Sequence, residues 1–252
     1  MLRHELLKGL HDRLQPRTYL EIGVSTGRSI TLSRTRTIGI DPGFKITHEI
    51  LCDVYLARAT SDEFFARKHP LAHFPEPVVD LAFIDGMHLA EYALRDLINV
   101  ERYTTATSVI VLDDMLPRNV REAARERDEG PDTKAWAGDV YKLIASIRKL
   151  RPDLVCLEMD TQPTGTLVLL LPDPSATGLV TAYDDLVEQY VVPDPQDVPA
   201  AILERGRAID PARLLDAPIW SQLKGLRGAA DDRARPAVRT MLRDAGLTTP
   251  TS

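Results

Sequence analysis

The chain alternates short, wholly apolar runs with amphipathic segments. At the N-terminus Leu2, Leu6, Leu10 and Leu14 recur at helical spacing until Pro16, which predicts an amphipathic helix over residues 1–16. Apolar runs without polar alternation suit strands that are buried on both faces of a sheet. The predicted strands are Thr18–Val24, Thr37–Ile40, Ile50–Ala57, Val78–Ile84, Ser108–Leu112, Leu154–Met159 and Thr166–Leu171. The predicted helices between them are Thr26–Ser33, Ser61–Arg67, Leu89–Arg102 and Asp139–Leu150.

The last two apolar runs are separated only by residues 160–165, which include Pro163 and Gly165. This connection is too short for a parallel crossover, so the two strands should form an antiparallel hairpin. The resulting fold class is α/β: a doubly wound, Rossmann-like sheet of five parallel strands followed by a C-terminal hairpin. This is the strand pattern of class I methyltransferases, whereas a dinucleotide-binding domain more often continues with another helical crossover.

The composition changes after residue 172. Nine of the 18 prolines lie from Pro172 to Pro250, between segments that keep a helical spacing of apolar residues. We therefore divide the chain into a domain over residues 1–172 and a proline-rich helical extension over residues 173–252. The extension has predicted helices at Thr177–Val191, Pro199–Ile209 and Arg235–Leu247. It is expected to pack on the sheet domain or on a second subunit, which makes a homodimer possible.

Bulk properties remove several classes of function. The formal net charge of −6 argues against nucleic acid as the main partner, because phosphate binding needs a basic face. No apolar run approaches the roughly 20 residues of a membrane span, and the N-terminus lacks the apolar core of a secretory signal. Cys52 and Cys156 have no metal-ligand spacing. These features lead us to expect a cytoplasmic protein that acts on a small molecule and binds neither membrane nor nucleic acid.

The first chemical signal follows the first strand. The sequence EIGVSTGRS places Glu21 in the strand and Gly23 and Gly27 in the turn after it. Glycines allow a sharp turn and a close approach of ligand or backbone, and the start of a helix favours a carboxylate. The spacing lacks the G-x-G-x-x-G of dinucleotide sites, and the loop alone indicates only a nucleoside-type cofactor. Together with the terminal hairpin and with Asp41 after the second strand, it resembles the site for S-adenosylmethionine (SAM) in methyltransferases. Its predicted contacts here are Glu21, Gly23, Ser25, Thr26 and Gly27.

Further cofactor contacts are predicted at the next strand ends. Asp41 follows the second strand, where an acid accepts hydrogen bonds from ribose hydroxyls. Ser61 and Asp62 follow the third strand, where they either contact adenine or cap the next helix. Asp85 at the end of the fourth strand is also expected beside the cofactor.

An acidic cluster is predicted where the fourth and fifth strands end, in the sequences FIDGMH and VLDDM. The carboxyl ends of neighbouring parallel strands meet at one edge, so Asp85, His88, Asp113 and Asp114 should converge there. Clustered carboxylates repel one another, and a divalent cation removes that cost. Hard oxygen ligands favour Mg²⁺, or Mn²⁺, over Zn²⁺.

These motifs resemble the metal-dependent sugar O-methyltransferases of the macrocin and mycinamicin type over roughly Tyr19 to Leu171. The resemblance implies that Asp85, Asp113 and Asp114 are the metal ligands and that His88 is the general base. It implies a SAM-dependent enzyme that methylates a hydroxyl of a sugar or a glycosylated metabolite.

Other functions remain open at this stage. The glycine loop also resembles the catechol and caffeoyl-CoA O-methyltransferases, although those carry Asp-Asn where this chain has Asp113-Asp114. A non-catalytic SAM-binding protein, an NAD-dependent oxidoreductase and a hydroxylase are the remaining candidates. The charged segment Arg118–Gly138 is a candidate lid that would bring Arg118 or Trp136 to the substrate.

Overall fold

Each predicted apolar run forms a strand, and the seven strands build one sheet in the computed structural model, which describes residues 1–127 and 136–249. The strands are β1 (Thr18–Ile22), β2 (Arg36–Ile40), β3 (Val54–Ala57), β4 (Leu81–Ile84), β5 (Val109–Leu112), β6 (Val155–Met159) and β7 (Thr166–Leu170). Their order is β3-β2-β1-β4-β5-β7-β6. Strands β1 to β5 are parallel, and β7 is antiparallel to both β5 and β6. The predicted five parallel strands with a terminal hairpin are therefore confirmed.

Helices cover both faces of the sheet. They are α1 (Arg3–Leu14), α2 (Ser61–Phe65), α3 (Ala90–Glu101), α4 (Lys142–Leu150), α5 (Gly178–Thr181), α6 (Tyr183–Tyr190), α7 (Ala200–Leu203), α8 (Pro211–Leu215), α9 (Trp220–Gly225) and α10 (Asp231–Asp244). Side chains of a strand alternate between faces. In β1, Leu20 and Ile22 join the core under α2, α3 and α4, whereas Tyr19 joins the core under α1.

The extension after residue 172 packs on both faces of this sheet. Helices α5 to α7 add to the α3 and α4 layer, and α8 to α10 add to the α1 layer. The fit between α1 and α8 is tight, because a Cβ on Gly9 would lie 2.6 Å from the Leu215 side chain. The sequence predicts that the extension packs on the sheet domain or on a second subunit, and the structure shows it packed on the sheet domain.

Several predicted helices have different limits in the structure. The segment Thr177–Val191 forms two helices that meet at Ala182, and Pro199–Ile209 contains only the short α7. Helix α10 begins four residues earlier than predicted and ends before Gly246, whose φ of +67° is left-handed. The third strand begins at Val54 rather than Ile50.

The predicted helix Thr26–Ser33 is wrong. Its place is taken by a single 3₁₀ turn at Ile30–Leu32. Hydroxyl and guanidinium groups take the local carbonyls that a helix needs: Thr31 Oγ1 donates to the Arg28 carbonyl at 2.6 Å, and Arg34 donates to the Thr31 carbonyl at 2.6 Å.

The carboxyl ends of the central strands lie level with one another. Ile22 at the end of β1 pairs with Ile40 of β2 and with Ile84 of β4, and Ile84 pairs with Leu112 of β5. The residues that follow these four strands therefore share one edge of the sheet. Within the described ranges, no helix is long and apolar enough to cross a membrane.

A buried ion pair fixes α3 to the connection before β6. Arg151 Nη1 donates to Glu101 Oε2 at 2.5 Å, and both side chains are almost wholly buried. Removing one partner leaves a buried, unpaired charge, so we expect Arg151→Met to lower the free energy of unfolding by about 3–5 kcal/mol. Urea unfolding measures this change.

Two further variants make the test specific. The double variant Arg151→Met/Glu101→Leu should recover much of the loss, because both charges are then removed. The control Arg243→Met breaks the exposed Arg243–Asp244 pair and should change stability by less than about 0.5 kcal/mol. Equal losses in Arg151→Met and in the control would contradict the account.

Candidate functional site

The turn after β1 requires glycine at position 23. Gly23 has a φ of +92°, and its N–H donates to the Ile40 carbonyl at 2.9 Å. A Cβ on Gly23 would lie 1.9 Å from the carbonyl oxygen of Asp85, a distance no side chain tolerates. The chain segments after β1 and β4 therefore touch through backbone atoms, which brings Asp85 beside the glycine loop.

The Asp41 carboxylate is fixed at the end of β2 by two backbone donors. The Ser25 N–H donates to Asp41 Oδ2 at 2.7 Å, and the Gly43 N–H donates to Oδ1 at 2.6 Å. Ser25 has a φ of +49°, a left-handed conformation that turns its N–H toward this carboxylate. Each oxygen of Asp41 keeps lone pairs for a ligand hydroxyl.

A cavity of about 590 Å³ opens over these strand ends, and we call it the glycine-loop pocket. Its volume suits a small ligand or cofactor. Six of the predicted cofactor residues line it: Gly23, Ser25, Asp41, Ser61, Asp62 and Asp85. Thr60, next to Ser61 in the sequence, also lines it. The lining also contains residues that the sequence did not single out for it: Arg3, Ile22, Ile40, Pro42, Gly86, Met87, His88, Tyr92, Asp96 and Trp136.

Thr26 and Gly27 do not line this pocket, in contrast to the prediction. The Thr26 carbonyl accepts from the Thr47 N–H at 3.1 Å, so this residue ties the loop to the segment before β3. A Cβ on Gly27 would meet Ile46 at 3.0 Å. With no helix after the loop, the expected attraction of a helix start for a carboxylate is also missing.

Glu21 lies below the pocket, not in it. Strand alternation turns this side chain toward the α1 face, where Tyr19 Oη donates to Glu21 Oε2 at 2.6 Å. Complete burial raises the pKa of Glu21 to about 8, so the side chain is neutral at pH 7. Glu21, which the sequence predicts as a cofactor contact, therefore does not line this pocket.

The start of α2 lies at the rim of the same pocket. Thr60, rather than Ser61 or Asp62, is the N-cap, and it forms a capping box with Glu63. Asp62 is ion-paired with Arg95. Asp96 of α3 is a pocket residue that sequence reasoning missed, and its burial raises its pKa to about 7. The available signal was its position on the buried stripe of α3.

Three side chains converge where β4 and β5 end. His88 Nε2 lies 3.3 Å from Asp85 Oδ1, and His88 Nδ1 lies 3.1 Å from Asp114 Oδ2. One ligand atom from each of the three residues lies within 4.8 Å of the others. Asp114 has a φ of +61°, a strained conformation for a residue other than glycine, and its Oδ1 accepts from Thr164 Oγ1. These donors fit a divalent cation.

Asp113 does not join this group, although the sequence predicted it as a third carboxylate ligand. Consecutive side chains after the strand point in different directions, and Asp113 turns to Arg3 of α1, which donates to its carboxylate. Arg3 Nη1 also lies 3.4 Å from Asp85 Oδ2. Burial raises the pKa of Asp113, and Arg3 opposes that shift. Sequence reasoning missed Arg3 because the leucine stripe of α1 directed attention to packing.

His88 is held on both sides. Its Nδ1 lies 2.9 Å from the Trp136 carbonyl oxygen, and its ring stacks on Trp136 with centroids 5.1 Å apart. Burial by itself would lower the pKa of His88. The hydrogen bond to Asp85 and the charges of Asp114 and Asp85 outweigh it, and the pKa is raised to about 9.

A second cavity of about 550 Å³, the arginine pocket, adjoins the first. It is lined by Leu2, Arg3, His4, Arg28, Gly86, His88, Asp114, Arg127, Trp136, Gln162, Pro163 and Thr164. Arg3, Gly86, His88 and Trp136 line both pockets. His88 thus lies at the junction of two small-molecule cavities.

Of the two residues that the predicted lid would bring to the substrate, one lines the pockets. Trp136 lines both pockets, whereas Arg118 forms an ion pair with Glu122 and lines neither. The middle of the segment Arg118–Gly138, residues 128–135, lies outside the described residues.

A comparison of the sequence with models of known protein families points to the same part of the chain as the pocket residues. A family model described as a methyltransferase domain matches residues 20–115, less than half of the chain. The matched stretch runs from β1 to Met115 and includes the glycine loop, Asp41, Asp85 and the acids after β5. The match supports the predicted methyltransferase, and the strand order agrees with the sheet that the sequence predicts.

Solved structures with a related fold include three cofactor complexes. The O-methyltransferase TomG from Streptomyces achromogenes, with SAM, is 17% identical, with a TM-score of 0.47 and coverage of 68% of this chain and 80% of that one. The SAH-bound methyltransferase PaMTH1 from Podospora anserina is 15% identical, with a TM-score of 0.44 and coverage of 67% and 77%. The O-methyltransferase from Bacillus cereus, with SAH, is 16% identical, with a TM-score of 0.43 and coverage of 67% and 80%. No curated protein matches the chain.

The raised pKa of Glu21 gives stability a defined dependence on pH. Between pH 4.5 and about 8 the folded protein keeps the Glu21 proton that the unfolded chain releases, so this residue makes stability fall as pH rises. We expect the free energy of unfolding of Glu21→Gln to rise relative to that of the wild type across that window, by up to about 1.4 kcal/mol per pH unit. Urea unfolding at several pH values measures the difference, with the exposed Glu188→Gln on α6 as the control. Parallel curves for Glu21→Gln and wild type would contradict the account.

Proposed function

We propose that the protein is an O-methyltransferase that transfers the methyl group of SAM to a hydroxyl of a small acceptor. The observation that carries the proposal is the position of His88 at the junction of two adjoining pockets, beside Asp85 and Asp114. A methyl transfer needs donor and acceptor in one line with a proton acceptor beside the hydroxyl. Two cavities that share a histidine meet this need.

The glycine-loop pocket is the proposed donor site. Asp41 is oriented by two N–H groups and presents free lone pairs to ribose hydroxyls. Ser61, Asp62 and Tyr92 also line this pocket and are the proposed contacts of the adenine. The close backbone contact between Gly23 and Asp85 brings the methionine end toward the junction with the arginine pocket.

Asp85 and Asp114 are the proposed ligands of a divalent ion, Mg²⁺ or Mn²⁺, with carboxylate oxygens that such ions prefer. When bound, the ion would offset the two negative charges and lower the pKa of an acceptor hydroxyl. Arg3 neutralises Asp113 in this arrangement, so two carboxylates rather than three face the site. Asp114 owes its direction to its strained backbone and to Thr164.

His88 is the proposed general base. The Trp136 carbonyl holds the Nδ1 side of the ring, and Nε2 faces the Asp85 carboxylate. The Asp85 and Asp114 carboxylates raise the pKa of His88 to about 9, so the ring is protonated at pH 7 while they bind no cation. A divalent ion held by Asp85 and Asp114 would offset their charge and lower the pKa of His88, and Nε2 would then be able to accept a proton. The acceptor oxygen forms a bond to the methyl carbon as the carbon–sulfur bond breaks, and the sulfur leaves with that electron pair as a thioether. The hydroxyl proton passes to His88 Nε2. The resemblance to sugar O-methyltransferases suggests a sugar hydroxyl as acceptor, with a catechol or phenol as the alternative.

The two parts of the site are expected to respond separately to substitution. Asp41→Ala leaves two N–H donors without an acceptor and removes the ribose contact, so the Kd for SAM should rise about 10- to 100-fold. Asp114→Asn should weaken Mn²⁺ binding by at least about 10-fold and leave SAM binding nearly unchanged. Calorimetry with SAM and electron paramagnetic resonance with Mn²⁺ measure the two. Equal loss of SAM binding in both variants, or unchanged Mn²⁺ binding in Asp114→Asn, would contradict the assignment.

The role of His88 is tested by turnover. We expect methyl transfer from radiolabelled SAM to a panel of sugars and catechols, and we expect His88→Gln to reduce it by about 10²- to 10⁴-fold. SAM binding serves as the control for folding. Normal turnover in His88→Gln excludes the base role, normal turnover in excess chelator excludes the metal, and SAM binding without transfer to any acceptor indicates a non-catalytic SAM-binding protein.

A further inference from the structure

The arginine pocket carries more positive charge than its own carboxylates offset. Arg3, Arg28 and Arg127 line it, and Asp114 is the one carboxylate among its lining residues in the described part of the chain. Asp114 is already bound by His88 and Thr164. The chain as a whole has a net charge of −6, so the positive charge of this cavity does not follow from a generally basic composition.

Two of these arginines have no carboxylate partner in the part of the chain that the structure describes. Arg3 is engaged by Asp113 and Asp85. Among residues 1–127 and 136–249, by contrast, no carboxylate forms an ion pair with Arg28 or Arg127. The Arg127 guanidinium lies 6.0 Å from the ring centre of Trp136, which itself stacks on His88. The Arg127 guanidinium is therefore separated from the proposed base, His88, only by the Trp136 ring.

His4 also lines the arginine pocket, and its pKa is affected by the nearby arginines. Burial, followed by the charges of Arg3 and Arg28, lowers the pKa of His4 to about 4. The imidazole is therefore neutral at pH 7 and adds hydrogen-bonding capacity without further charge. Apart from His88, the remaining lining is uncharged: Leu2, Gly86, Trp136, Gln162, Pro163 and Thr164.

We propose that the methyl acceptor carries an anionic group, a carboxylate, phosphate or sulfate, which Arg28 and Arg127 bind while its hydroxyl lies beside His88. This inference rests on the proposed O-methyltransferase function and narrows its substrate class. Guanidinium groups suit such oxyanions because their N–H donors form paired, charge-assisted hydrogen bonds. A cavity of about 550 Å³ fits a small acidic molecule.

Anion binding is tested without the acceptor or the metal. Inorganic phosphate, sulfate and acetate are titrated in turn into the full chain in the presence of chelator, by calorimetry. At least one should bind, and Arg28→Gln/Arg127→Gln should weaken it by about 10-fold or more. The control Lys68→Gln/Arg233→Gln removes the same charge from exposed positions outside the pocket and should bind like wild type. No binding of any of the three, or equal binding in both double variants, overturns the proposal.

Matched acceptors test the same claim through turnover. Glucuronate and glucose 6-phosphate are compared with glucose, and 3,4-dihydroxybenzoate with catechol, using radiolabelled SAM. The acidic member should be methylated at least about 10-fold more efficiently, and Arg28→Gln/Arg127→Gln should remove that preference. Methylation of the neutral member with equal efficiency overturns the anionic acceptor and leaves the methyltransferase proposal standing. Failure to bind SAM instead overturns the proposed function, while the anion titration still decides whether the arginines form a site.

Discussion

The contact between the backbones of Gly23 and Asp85 is the constraint on which the candidate site depends. It exists because position 23 lacks a side chain and because β1 and β4 end at the same level in the sheet. The contact brings a loop suited to a nucleoside cofactor and a carboxylate suited to a metal to one edge. A larger residue at position 23 would push the Asp85 backbone away from the glycine loop as well as strain the turn.

The second determinant is the balance of charge around three aspartates. Asp113 is neutralised by Arg3, which belongs to α1 and thus comes from outside the strand-end motifs. Helix α1 is in turn held by the extension, since Arg227 donates to the Leu14 and Gln15 carbonyls and Arg13 pairs with Asp216. The extension after residue 172 therefore helps to position the Arg3 guanidinium in the site, although none of its described residues lines either pocket.

The sequence predicted what depends on short-range pattern. Wholly apolar runs located the strands, and the short connection at residues 160–165 predicted the hairpin correctly. Gly23, Asp41, Asp85 and His88 were found because residues at the carboxyl ends of parallel strands share an edge.

What the sequence did not reveal depends on side-chain direction and on contacts distant in the chain. Strand alternation turned Glu21 away from the pocket, and local hydrogen bonds of Thr31 and Arg34 replaced the expected helix after the loop. The pairing of Arg3 with Asp113 spans 110 positions and follows from how α1 packs on the sheet. No periodicity in the sequence contains that information.

The central claim is that one strand edge holds a nucleoside cofactor and a divalent cation on either side of His88. A crystal structure of the protein grown with SAH and Mn²⁺ tests it most directly, because anomalous scattering locates the metal independently of the ligand. The account predicts ribose hydroxyls on Asp41 and a manganese peak between Asp85 and Asp114. A nucleoside bound elsewhere, or an acidic cluster without a manganese peak at saturating Mn²⁺, would contradict it.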